Sequence, residues 1–325
     1  MLLEIRHITQ YHYDTPVRES VMELWMQPRK LATQRLVSFD LELDPGAQLF
    51  SYADSFGNAV HHFDVPQPHD RLNITARSAV ETHAPQLAQE GVDRGEWDRL
   101  RSDFVMAECF DFLQPHGYAV STPALEAFIA RHKLDELKHF DPYTALQKLN
   151  EAIYGALEYE AGVTEADSPI DLALEKGAGV CQDFAHIMIA VCRRWGLPAR
   201  YVSGYLFTNR ADGKDRSDPD ASHAWVEVFL PTLRWVGFDP TNNILTGDRH
   251  VSVAVARDYA DVPPSRGVFK GEAESQLVVG VSVRRARAAL VEPEFLRMSK
   301  PAFSANGRRR PPVPGFVDQQ HQQQQ

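Results

Sequence analysis

Alternation of apolar and polar residues dominates the first 83 positions. Val37, Phe39, Leu41 and Leu43 alternate with Ser38, Asp40, Glu42 and Asp44, and Leu72, Ile74 and Ala76 repeat the pattern. A period of two sends one set of side chains to a buried face and the other to water, so these runs predict strands. Pro45-Gly46, Phe56-Gly57-Asn58 and Pro66-Gln67-Pro68 separate them as turns. Short strands punctuated in this way predict a β-sandwich-like N-terminal domain over residues 1–83.

From about residue 97 the period becomes helical. Thr122-Pro123 and Asp141-Pro142 each place a capping side chain before a proline at the first helical position, which marks two helix starts. Leu146, Leu149, Ile153 and Leu157 form one apolar stripe on the second. Ser168-Pro169 reads as a third start. Strand patterns return at Ala199 to Phe207, His223 to Leu230 and Arg234 to Phe238. Helices followed by strands predict an α+β domain over residues 97–290. Residues 291–325 are rich in Pro, Arg and Gln and cannot supply a core, so they are expected to be a disordered tail.

Composition narrows the function. The chain of 325 residues has a formal net charge of -10, which opposes binding to nucleic acid or an anionic membrane. No apolar stretch reaches the length of a spanning helix, and the start lacks the pattern of a secretory leader. A cytoplasmic protein is expected. Its three cysteines, Cys109, Cys181 and Cys192, are too few for a disulfide framework and are expected to be reduced.

One of them sits in a distinctive place. Gly177-Ala-Gly-Val leads into Cys181 at the start of a helix whose apolar stripe is Phe184, Ala185, Met188, Val191, Cys192 and Trp195, with Gly196 and Pro198 as the stop. A thiol in the first helical turn faces unpaired N–H groups and the positive end of the dipole. Both favour thiolate, and the Cys181 N–H can also serve an oxyanion. Cys192 on the apolar stripe and Cys109 in AECFDF read as buried packing residues.

Ser222 to Phe229 and Trp235 to Pro240 read as a hairpin with Pro231-Thr232 in its turn. A loop centred on Pro231 sets His223 opposite Asp239, Trp225 opposite Gly237 and Glu227 opposite Trp235. Directly opposed residues lie close enough for the carboxylate to orient the imidazole, leaving its other nitrogen for Cys181. A zinc site from Cys181, His186, Cys192 and His223 matches no compact ligand spacing. His61, His62 and His69 are another candidate metal set, though loop histidines explain them as well. No metal or organic cofactor is expected. The acidic run from Asp212 to Asp220 reads as a surface loop or lid.

Cys, His and Asp in this order resemble the transglutaminase-like superfamily of papain-type thiol enzymes. GAGVCQDFAHIMIAVCRRWGLPARYVSGYL at 177–206 and DASHAWVEVFLPTLRWVGFDPTNN at 220–243 look like its bacterial branch, and LLEIRHITQYHYDTPVRES resembles that branch's N-terminal domain. The resemblance implies a papain-like core with Cys181 as nucleophile, His223 as general base and acid, and Asp239 as the residue that orients His223. It implies a thioester intermediate on a peptide or protein amide substrate, resolved by water in a protease or amidase, or by an amine in a transamidase. A catalytically silent peptide-binding module is the third reading. Papain-type enzymes place a Gln shortly before the nucleophile to complete the oxyanion hole, whereas Glu175 stands at the matching position here. Gln182, next to the cysteine, is a candidate for the second oxyanion donor or a plain helix-surface amide, and Asp183 and Tyr205 are candidates for shaping the pocket.

Overall fold

The computed structural model describes residues 1–86, 92–208 and 222–286, and the backbone of residues 316–318. The N-terminal region forms six strands: β1 (Leu2–Val17), β2 (Glu19–Leu24), β3 (Gln34–Asp44), β4 (Phe50–Ala53), β5 (Ala59–Val65) and β6 (His69–Thr82). Their inward sets, including Tyr11, Met22, Phe63, Leu72 and Ile74, meet in one buried cluster. Alternation therefore does what it predicts here: each strand gives one face to the core of a sandwich.

A helical region follows, with three short helices, α1 (Glu96–Arg99), α2 (Asp103–Glu108) and α3 (Phe110–Leu113), then α4 (Pro123–Arg131) and α5 (Pro142–Ala156). Thr122 accepts from the Leu125 N–H at 3.1 Å and Asp141 from the Thr144 N–H at 3.0 Å, so both predicted caps form. Strand β7 (Glu158–Tyr159), helix α6 (Ile170–Lys176), strand β8 (Ala178–Gly179) and helix α7 (Cys181–Arg194) complete it. Ser168 is not the cap of α6, since its hydroxyl accepts from the Glu165 N–H inside the preceding turn.

Helix α7 is buried on nearly every side, from Gln182 to Arg193, rather than along a single stripe. It packs against an antiparallel sheet made of β9 (Ala199–Leu206), β10 (Ser222–Leu230), β11 (Arg234–Asp239), β12 (Ile244–Leu245) and β13 (His250–Ala256). The spatial order is β12-β11-β10-β9-β13. Ile187, Met188 and Val191 of α7 meet Val226, Val228 and Phe238 of the sheet in the largest core. This burial fixes where Cys181 stands relative to the sheet.

Strands β14 (Ser265–Lys270) and β15 (Ser275–Arg285) leave that unit. They pair antiparallel with β2 and β1, respectively. The sequence groups residues 97–290 together, yet 265–285 complete the two sheets of the N-terminal sandwich, whose orders are β15-β1-β6-β3 and, with β16 (Phe316–Asp318), β16-β14-β2-β5-β4. The rest of the expected 291–325 tail lies outside the described residues, as does the acidic run 212–220. Leu3, Ile5 and Val281 from the sandwich pack against Tyr205, Val251 and Val253 from the core sheet.

Candidate active site

Cys181 is the first residue of α7 and is partly exposed. The approach to it is built rather than flexible. Gly177 ends α6 in the left-handed region at φ 67, and Ala178–Gly179 pairs in parallel with β7. Asp183, in the third position of α7, reaches back to the Val180 N–H at 2.8 Å and also accepts from the Thr164 hydroxyl at 2.6 Å. This is the carboxylate half of a capping box; valine has no side-chain acceptor for the other half. A Cβ on Gly179 would lie 2.7 Å from Asp183 Oδ2, so the cap requires glycine there.

The hairpin of β10 and β11 has a different register from the one its sequence suggests. Val226 faces Phe238, Glu227 faces Gly237 and Leu230 faces Arg234, two residues away from a loop centred on Pro231. The loop is Pro231-Thr232-Leu233, and Arg234 adopts a left-handed φ of 64, the geometry of a three-residue hairpin turn. His223 and Asp239 are therefore diagonal rather than opposite. A shift of two keeps both side chains on the same face, and His223 Nε2 still reaches Asp239 Oδ2 at 2.8 Å.

Cys181 also acts on His223, favouring the charged form of the ring. Because Asp239 occupies Nε2, Nδ1 is the ring nitrogen left for the thiol. Burial of the ring disfavours its charge, but the Asp239 carboxylate and then Cys181 outweigh it and lift His223 to about 10. Asp239 shows the mirror image: burial opposes its ionisation, while His223 and His250 hold it well below the usual carboxylate range.

Asp239 is fully buried and heavily supported. Oδ1 accepts from the N–H groups of Thr241 and Asn242, at 3.1 and 3.2 Å. Oδ2 accepts from the Asn242 amide at 2.8 Å and from His250 Nε2 at 3.2 Å, besides His223. Asn242 and His250 were not singled out by the sequence. The backbone contacts were foreseeable in kind, since Asp before Pro-Thr-Asn favours this local turn.

The other sequence candidates lie elsewhere. Glu175 is exposed near the end of α6. Gln182 is buried and donates to the Ala166 carbonyl at 2.8 Å, which ties α7 to the preceding loop. Tyr205 is hydrogen-bonded to His7 Nδ1 at 2.9 Å, at the contact with the sandwich. Burial pushes the thiols of Cys109 and Cys192 up, far more strongly for Cys192.

Among the described residues, two clusters have metal-like spacing: His223, Asp239 and His250, and His116, Asp258 and Asp261. Neither has a suitable donor set. His250 Nδ1 accepts from the Gly247 N–H at 3.1 Å, which puts the ring proton on Nε2 and removes the lone pair a metal would need. In the second cluster, Arg257 takes both oxygens of Asp261 and the Tyr118 N–H takes Asp258. The zinc combination of Cys181, His186, Cys192 and His223 does not assemble, nor do His61, His62 and His69.

Comparison with known proteins gives the family. Residues 3–81 match the bacterial transglutaminase-like N-terminal region, and residues 133–240 match the transglutaminase-like superfamily core. The chain belongs to the transglutaminase-like superfamily. An uncharacterized protein of Mycobacterium leprae is 34% identical to this transglutaminase-like chain over 283 residues, covering 87% of it and 98% of the relative. One from Mycobacterium tuberculosis is 35% identical over 293 residues, covering 86% and 90%. A solved structure from Cytophaga hutchinsonii, described provisionally as a cysteine protease, superposes with a TM-score of 0.67 across 98% of both chains at 19% identity. At that identity it shows the shared fold. A protein-glutamine gamma-glutamyltransferase of Pseudomonas aeruginosa is 31% identical over 155 residues, covering 44% of this chain and 23% of that protein. No helix among the described residues of the transglutaminase-like chain is long and apolar enough to cross a membrane.

Proposed function

We propose that the protein is a thiol-dependent amide hydrolase, with Cys181 as nucleophile, His223 as general base and acid, and Asp239 as the group that orients His223. The observation that carries this reading is one imidazole hydrogen-bonded to a buried carboxylate and electrostatically coupled to a helix-start thiol. With the Cys181 proton already on His223 Nδ1, Sγ attacks the amide carbonyl. The negative charge then forms on the carbonyl oxygen, near the first-turn N–H groups of α7. Collapse breaks the C–N bond, and the amine leaves with the proton held by His223. Water then attacks the thioester, His223 takes its proton, and the acid departs as Cys181 regains a proton.

Resolution by a primary amine is the second reading, favoured by the Pseudomonas relative's name. The Cytophaga neighbour's description favours hydrolysis. The three free cysteines suit a reducing cytoplasm. A peptide- and glutamine-amide library, assayed with and without a primary amine and with Cys181→Ala as control, tests the proposal. Cys181-dependent ammonia or peptide release without amine incorporation supports the hydrolase, and incorporation supports the transamidase. No Cys181-dependent product from the library sinks both and points to a silent binding module.

A further inference from the structure

We infer that His250 is a positioning residue for Asp239, held in place by the N-terminal sandwich. This rests on the triad reading above. His250 is buried, and its two ring nitrogens have opposite roles. Nδ1 accepts the Gly247 N–H, so the neutral ring carries its proton on Nε2 and donates it to Asp239 Oδ2. Protonating the ring would set two N–H groups against each other at Nδ1, and burial also holds His250 below its ordinary range. The charged and titratable groups around it are Asp239, His223 and Arg249, with His83 and Glu227 lining the same cleft.

His250 opens β13, and the sandwich grips that strand two residues on. Gln34, at the start of β3, donates to the Ser252 carbonyl at 2.8 Å and accepts the Ser252 N–H at 2.8 Å. Thr82, paired with Gln34 across β3 and β6, donates to the Asp248 carbonyl on the other flank of His250 in sequence. One oxygen of Asp239 is thus aimed at His223 by a side chain whose flanking backbone the N-terminal unit holds. Loss of the donor frees Asp239 Oδ2, weakens its hold on the His223 imidazolium and so slows attack by Cys181.

The test is the pH dependence of Cys181 alkylation by iodoacetamide in the full chain, read by mass spectrometry, for wild type, His250→Gln and His250→Leu. The Gln amide places a donor where Nε2 stands; Leu does not. Wild type is expected to react at pH 6 faster than a free thiol. His250→Gln should stay within about 3-fold of it, and His250→Leu should fall by about 10- to 100-fold, the scale of losing an outer-sphere partner. Thermal melts show that each variant is folded, and a purely structural role would leave the pH profile unmoved. Wild-type reactivity at pH 6 kept or exceeded in His250→Leu overturns this inference alone. A wild-type rate no faster than a free thiol overturns the thiolate reading and this inference with it. Nitrogen chemical shifts give an independent reading: a His250 protonated on Nε2 supports the inference, and one protonated on Nδ1 overturns it.

Discussion

His223 and Asp239 meet across a diagonal of the β10–β11 hairpin, with Nε2 2.8 Å from Oδ2. The ladder ends with Val226 opposite Phe238, and extending that register sets Asp239 against Trp225. The carboxylate therefore reaches sideways to the imidazole, and its aim depends on the donors that hold it. Asp239→Asn keeps the size but replaces an acceptor oxygen with an amide and inverts the preferred tautomer of His223. Cys181-dependent turnover should drop by about 10³- to 10⁴-fold, as when a triad Asp is so replaced. Steady-state rates for the variant check this, and a loss under tenfold would contradict the role given to Asp239.

The pair also shapes stability against pH. His223 is raised to about 10, so its contribution is complete below the unfolded value of about 6.5 and is lost as pH rises through about 10. Asp239 is depressed, so its contribution is present above about 3.9 and lost as pH falls through its lower folded value. The melting-temperature difference between wild type and Asp239→Asn should thus be largest between about pH 4.5 and 6.5 and shrink toward pH 10. Taking the difference cancels His7 and His186. Burial lowers these to about 4 and about 3, and they draw stability down as pH falls.

Thiol chemistry should be confined to one residue. Cys109 and Cys192 are buried and their thiols are pushed up, whereas Cys181 is partly open to solvent. In native protein, iodoacetamide should modify Cys181 at least about 100-fold faster than the others, which must wait for the fold to open. Peptide mapping before and after urea unfolding measures it.

Gly179→Ala should injure the site without touching a reacting atom. The new methyl would stand 2.7 Å from Asp183 Oδ2 and displace the carboxylate from the Val180 N–H. Loss of a helix cap costs about 0.5–2 kcal/mol. Urea midpoints should fall accordingly, and Cys181 alkylation should slow because the first turn of α7 loses its anchor.

Much of this was legible from sequence for specific reasons. Thr122 and Asp141 before prolines signal helix starts, and both cap as read. Alternation gives the face of a strand but only the parity of its register. His223 and Asp239 could thus be put on the same face, while the offset of two depended on Arg234 taking a left-handed φ, which arginine does not advertise. His250 and Asn242 escaped because their roles arise only when the chain turns back to Asp239. Gln182 and Tyr205 look available for chemistry in the sequence, yet folding commits both to structural hydrogen bonds.

The return of residues 265–285 to the N-terminal sheets determines where the protein can be cut. A fragment ending after residue 83 would strip β1 of the partner it has from Leu3 to Tyr13, and β2 of the partner it has from Glu19 to Leu24. Two long strands with open edges invite intermolecular pairing, so such a fragment should aggregate on expression. A sandwich in which β1 and β2 keep their partners needs residues 1–83 and 265–285 together.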